Sequence, residues 1–177
     1  MEQLRGIKLK RFKKQLARPN LELVLILENI QYARNVAEIF RIADAVKVKE
    51  IALTGISHTP PFGKELQKVS RTKESSVKWQ SFTTTGKALQ YYQRLGYQVV
   101  ALELTDQAIS LSEFRLTANK KVVLLVGNET YGITKDSLAK VDKALYVPMF
   151  GKGASLNVAV STAICLYSLI LPDLSAT

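Results

Sequence analysis

The chain has 177 residues, 47% of them hydrophobic and 23% charged, and carries a formal net charge of +10. That length predicts one domain with its own core, and the charge points to a polyanion or an anionic membrane surface as partner. A single cysteine, Cys165, excludes an internal disulfide framework, and with His58 as the only histidine no metal site and no histidine-dependent triad is expected.

Residues 5–18 (RGIKLKRFKKQLAR) form a basic block that Pro19-Asn20 punctuates, so residues 1–20 read as an arm attached to a domain over 21–177. Phe12 and Leu16 stand at helical spacing, which lets the arm dock while Arg11, Lys13, Lys14 and Arg18 face outward. The charged N-terminus has no apolar core and does not read as a secretory signal. The C-terminal apolar run of about 15 residues falls short of the roughly 20 that span a bilayer, so a cytoplasmic protein is expected. LELVLIL (21–27) is a buried strand, continuous in apolar residues and too short for a helix. Residues 34–46 are an amphipathic helix with Val36, Ile39, Phe40, Ala43 and Val46 on one face. KEIALTG (49–55) is the next strand. Lys64–Lys73 is a basic helix and VKWQSF (77–82) a short strand. Thr85–Leu95 is a helix closed by Gly96. YQVVALEL (97–104) and KVVLLV (121–126) are strands, 135–142 is a short helix, and a strand at 145–147 leads to the apolar last helix. This alternation of strands and helices predicts an α/β domain with a mainly parallel sheet flanked by helices. Ligands bind such sheets at the carboxyl ends of strands, here in the loops after Leu27, Leu104, Val126 and Val147.

Three blocks fall at those loops. In LENIQYARNVAEIFRIADA (27–45), Asn35 lies near a helix start, with Arg34, Glu38 and Arg41 spaced along the polar face. Spacing alone favours a capped, solvated charged face; the start of this helix at a carboxyl strand end argues for a site. GNETYGIT (127–134) follows a strand and nearly matches the phosphate-binding pattern G-x-x-x-x-G-K-[ST], but Ile133 occupies the lysine position. An ordinary glycine turn is the alternative, set against Glu129, a carboxylate that needs a donor or cation if covered. In VPMFGKGASLN (147–157), Pro148 ends ladder pairing. Gly151 and Gly153 allow unusual dihedrals or close approach to a ligand, and Ser155 or Asn157 can cap the helix that follows. That helix is apolar on every side, which points to cover from a second copy of the chain.

In this order and spacing the blocks resemble the SpoU/TrmH branch of the SPOUT RNA methyltransferases. The resemblance is carried by Asn35 and Arg41; by Gly127, Glu129 and Gly132; and by Val147-Pro148-Met149 with Ser155-Leu156-Asn157. It covers about residues 21–171. It implies a C-terminal trefoil knot, a homodimer whose site takes an arginine from the other subunit's first helix, and S-adenosylmethionine as cofactor. It further implies methyl transfer to a ribose 2′-hydroxyl of tRNA or rRNA. Cofactor contacts then map to Leu104, Gly127, Val147 and Leu156, and catalytic positions to Asn35, Arg41, Glu129, Ser155 and Asn157. Ala33-Arg34-Asn35 stands where the family usually has Pro-His-Asn or Pro-Gly-Asn, and RTKESS (71–76) replaces a glycine-rich stretch.

A guanidinium stays protonated, so Arg41 is expected to stabilise the developing alkoxide or grip the adjacent phosphate; a deprotonated Arg41 acting as base is the alternative. Asn35 should orient Arg41 or the ribose, Glu129 should pair with Arg41 or a loop amide, and Ser155 and Asn157 should position the target. Arg11, Lys13, Lys14, Arg18, Arg34, Lys64, Lys68, Arg71 and Lys73 are the expected phosphate contacts. A non-catalytic RNA-binding protein of the same fold is the rival reading.

Overall fold

The computed structural model describes residues 1–17, 19–116, 120–153 and 155–175, with side chains to Leu171. The basic block forms helix α1 (Gly6–Gln15), which buries none of its residues. Phe12 and Leu16 are exposed, so the arm is not docked through these two side chains. Arg18 lies outside the described residues.

Strand β1 (Glu22–Glu28) is followed by α2 (Ala33–Val46), β2 (Glu50–Thr54) and α3 (Lys64–Ser70). Next come β3 (Trp79–Phe82), α4 (Thr85–Arg94), β4 (Gln98–Leu102) and β5 (Ile109–Ser110). The chain ends with β6 (Lys121–Val126), α5 (Lys135–Leu138), β7 (Lys143–Tyr146) and α6 (Val158–Ser175). The strands form one seven-stranded sheet in the order β3-β2-β1-β6-β4-β7-β5, and every ladder is parallel.

Successive side chains of a strand face opposite sides, and here both sides are covered. Leu23, Leu25 and Leu27 of β1 join Val36, Ile39 and Phe40 of α2 and Cys165, Leu166 and Leu169 of α6 in one core. Val24 and Ile26 join Ala88, Leu89 and Tyr92 of α4 and Leu138 of α5 in the other. Helices on both faces explain why β1 reads as an unbroken apolar run.

Of the predicted elements whose bounds move, four do so for a clear local reason. The helix expected over 64–73 stops at Ser70, because Arg71 and Thr72 take left-handed dihedrals (φ 56° and 60°) before a short 3-10 turn. The strand expected over 97–104 stops at Leu102, where Glu103 turns its carboxylate back to accept the Leu104 amide at 3.0 Å. The helix expected over 135–142 is a single turn. Asp142 returns to the sheet instead, donating its amide to the Val99 carbonyl at 2.9 Å and accepting the Val99 N–H at 2.7 Å. The strand expected at 145–147 runs from Lys143 to Tyr146, so pairing ends two residues before Pro148. The two-residue β5 was not expected at all.

Candidate active site

The loops at the carboxyl ends of β4, β6 and β7 enclose a cavity of about 320 Å³, within the range of small-molecule sites. The expected cofactor positions Leu104, Gly127, Val147 and Leu156 all lie on its wall, with Glu129 and Ser155.

The turn after β6 is built by its glycines and one asparagine. The Asn128 and Gly132 backbones pair in both directions, at 3.1 and 2.9 Å. The Asn128 side chain accepts the Thr130 and Tyr131 amides at 2.8 and 3.0 Å and donates to the Asn29 carbonyl at 2.7 Å. A Cβ on Gly127 would stand 2.4 Å from the Gly132 carbonyl carbon, so only glycine lets the turn close. Gly132 has φ +66°.

This turn presents Glu129 to the start of α2. The helix entry has no side-chain cap of its own. The Glu129 carboxylate supplies the acceptor from 98 residues away, taking the Gln31 amide at 2.8 Å and the Tyr32 amide at 3.3 Å. A carboxylate at a helix amino end is favoured by the helix dipole. Asn35, buried, donates its amide to Glu129 at 2.6 Å and accepts from the Asn157 amide at 3.0 Å. Asn157 in turn caps α6, accepting the Ala159 amide at 2.8 Å and the Val160 amide at 3.3 Å. One polar chain thus links Asn157, Asn35 and Glu129, one residue from each sequence block.

Arg41 stands apart. Its side chain is exposed, does not line the cavity and has no partner among the described residues. Glu129 therefore takes loop amides rather than Arg41, and Asn35 is turned to Glu129 and Asn157 rather than to Arg41. Of the two candidate caps Asn157 serves, while Ser155 lines the cavity. Gly151 and Gly153 do not have left-handed dihedrals, and a Cβ on either would meet nothing within 4 Å.

Three of the expected phosphate contacts pair with acids. Arg34 pairs with Glu38 at 3.1 Å, Lys68 with Glu65 at 2.7 Å and Lys73 with Asp44 at 2.9 Å. Arg11, Lys13, Lys14, Lys64 and Arg71 are exposed. Cys165 is fully buried in α6 and burial pushes its thiol up to about 12, which makes it a core residue and not a nucleophile.

Two acidic residues escaped the sequence reading. Glu28, 2% exposed, accepts the Thr134 amide and hydroxyl at 3.2 and 2.9 Å and the Ser137 hydroxyl at 2.7 Å. These bonds satisfy the Thr134 amide and hydroxyl at the start of α5, donors that the near-match to a phosphate-binding turn would otherwise leave open. Glu103 accepts the Ile133 amide at 3.0 Å from beneath the glycine turn. The signal was present in the sequence: each acid stands at the carboxyl end of a buried strand, Glu28 as the last residue of β1 and Glu103 just after β4.

The model of the SpoU rRNA Methylase family matches residues 22–167. The chain is 32% identical over 155 residues to the tRNA (guanosine(18)-2'-O)-methyltransferase of Escherichia coli strain K12, covering 86% of this chain and 64% of that protein. It is 29% identical over 163 residues to the protein of the same name from Aquifex aeolicus, covering 90% and 74%. It also resembles the solved A. aeolicus TrmH/SpoU tRNA modifying enzyme, with TM-score 0.73, 28% identity, and 90% and 79% of the two chains covered. A second solved likeness is the AdoMet-bound rRNA methyltransferase of Sinorhizobium meliloti, with TM-score 0.76, 27% identity, and coverage of 86% and 57%. The chain spans somewhat under two thirds, 64%, of the length of the E. coli relative. With the match running from β1 into α6, through all three polar blocks, the chain belongs to the SpoU rRNA Methylase family.

Proposed function

We propose that this protein transfers a methyl group from S-adenosylmethionine to a ribose 2′-hydroxyl of tRNA or rRNA. The observation that carries the reading is the Asn157–Asn35–Glu129 chain, which draws three distant blocks together beside one cavity at the carboxyl edge of a parallel sheet. The cavity suits the cofactor. Leu102, Val126, Val147 and Leu156 offer an apolar wall for a purine, and Gly127 and Gly132 bring bare backbone to the same wall. Bound there, the cofactor supplies a sulfonium methyl, an electrophile that needs placement more than activation.

The work left to the chain is to place and charge-stabilise the attacking oxygen. Glu129 and Asn35 hold the α2 entry against the glycine turn, and Asn157 ties α6 to both. Ser155, exposed at the cavity mouth, is placed to contact the target nucleotide. Arg41 stabilises the developing alkoxide or the neighbouring phosphate. Because Arg41 lies off its own cavity wall, it serves the cavity of a second copy, and the active form is a homodimer. Val160, Ile164, Tyr167 and Leu171, each 41–53% exposed along one side of α6, supply the apolar strip that such a copy covers. The resemblance-based trefoil knot is supported by β7, which enters the sheet between the consecutive strands β4 and β5. The arm over 1–20 adds Arg11, Lys13 and Lys14 to the RNA surface, with Lys64, Arg71 and, once freed from Glu38, Arg34.

Incubation of the purified protein with total RNA and labelled cofactor, followed by nucleoside mass spectrometry, tests the reading. A labelled 2′-O-methylnucleoside is expected. Label on a base, or none in RNA under conditions where the cofactor binds, would refute it.

A further inference from the structure

We propose that Glu103 is a cofactor-binding residue whose carboxylate accepts the two hydroxyls of the adenosyl ribose. The inference rests on the reading that the cavity holds S-adenosylmethionine.

Three carboxylates stand at the carboxyl edge, and an ionised carboxylate offers about four acceptor sites. Glu28 takes three donors and does not line the cavity. Glu129 lines the cavity but also takes three, from Gln31, Tyr32 and Asn35. Glu103 differs from both. It lines the cavity, is half-buried, and accepts one backbone amide per oxygen: Ile133 on Oε2 and Leu104 on Oε1, each at 3.0 Å. It makes no ion pair among the described residues.

A carboxylate drawn partly out of water with unused acceptor capacity calls for further donors. Its two amide bonds fix the plane of the group, leaving one free site on each of two adjacent oxygens. Two vicinal hydroxyls match that spacing, as they do when an acidic residue holds a ribose in dinucleotide-binding sheets. The neighbouring turn is shaped to the same group, since a Cβ on Gly132 would come within 2.4 Å of Glu103 Oε2. Glycine at 132 thus allows the carboxylate to stand under the turn and face the cavity.

Titration calorimetry tests the proposal with three ligands: S-adenosylhomocysteine, 5′-methylthioadenosine, which lacks the amino-acid portion, and its 2′,3′-dideoxy analogue. Glu103→Gln is expected to weaken the first two about tenfold or more and to leave the dideoxy analogue within about twofold of the unaltered protein. Glu103→Asp, which keeps the charge but withdraws it by one methylene, should follow the same pattern with a smaller loss. Equal weakening of all three ligands would make Glu103 a structural residue and overturn the proposal. Weakening confined to S-adenosylhomocysteine would assign the carboxylate to the ammonium group and overturn it too. An unaltered protein that binds none of the three overturns the cofactor reading and this inference together, whereas the other two adverse results overturn the inference alone.

Discussion

At the amino ends of the strands, Glu22 receives Lys49 at 2.8 Å and the hydroxyl of Tyr97, while Lys121 lies 5.7 Å from the centre of the Tyr97 ring. At the carboxyl ends, Glu28, Glu103 and Glu129 take backbone amides, hydroxyls and an asparagine, and no lysine or arginine among the described residues. The first arrangement is open to water: the side chains of Glu22 and Lys49 are 36% and 51% exposed, and screening leaves such a pair little net worth. The second fastens loops to one another over 94 to 109 residues of chain through Asn35–Glu129 and Ser137–Glu28. The same residue type therefore decorates one edge and organises the other. Acids that meet cations at a wet surface add little, whereas acids that satisfy otherwise orphaned donors fix the geometry of a site.

Substitutions at the two edges should separate these roles. The largest effect is expected for Arg41→Ala, which lowers kcat by about 10²–10³ while S-adenosylhomocysteine affinity stays within about twofold; single-turnover methylation and calorimetry measure the two, and parallel loss would place Arg41 in the scaffold. Glu129→Ala strips an acceptor from two amides and from Asn35, and should cost about 1–3 kcal/mol in urea unfolding. Asn157→Ala removes the α6 cap at a cost of about 1 kcal/mol. Asn157→Asp should restore the cap yet lose the bond to Asn35, so it sharpens the contrast between capping and loop fastening.

Glu22→Gln is expected to cost least, about 0.5 kcal/mol after solvent screening. Its pH dependence has a definite sign. The hydrogen bond from Lys49, then that from Tyr97, holds the Glu22 carboxyl below its usual range. Its contribution is therefore complete above the unfolded value of about 4.3 and fades as pH falls toward the lower folded value. A cost for Glu22→Gln at neutral pH as large as that for Glu129→Ala would break the contrast between the edges.

The strands β1, β2, β4 and β6, the helices α2 and α4, and the glycine turn were legible because their signals lie in consecutive residues. An apolar run, a period of 3.6 or a pair of glycines carries its own warrant. The three blocks were legible as candidates for the same reason. Their particular bonds were not: the partner of Glu129 was left open between Arg41 and a loop amide, and the structure supplies the Gln31 and Tyr32 amides together with Asn35. Capping of α6 was left open between Ser155 and Asn157 until the fold set Asn157 beside Asn35.

What residue order alone determined is the parallel α/β layout, the apolar faces and the neighbourhood of the site at the carboxyl edge. Only the tertiary structure decided that β5 exists, since two residues become a strand by pairing with β7. It also decided that Glu28 plugs the start of α5, that Glu103 faces the cavity and that Arg41 does not. Local propensities act over a few residues and can be read along the chain. A hydrogen-bond partner 94 to 122 residues away is chosen by packing, and exists only once the layers close around the sheet.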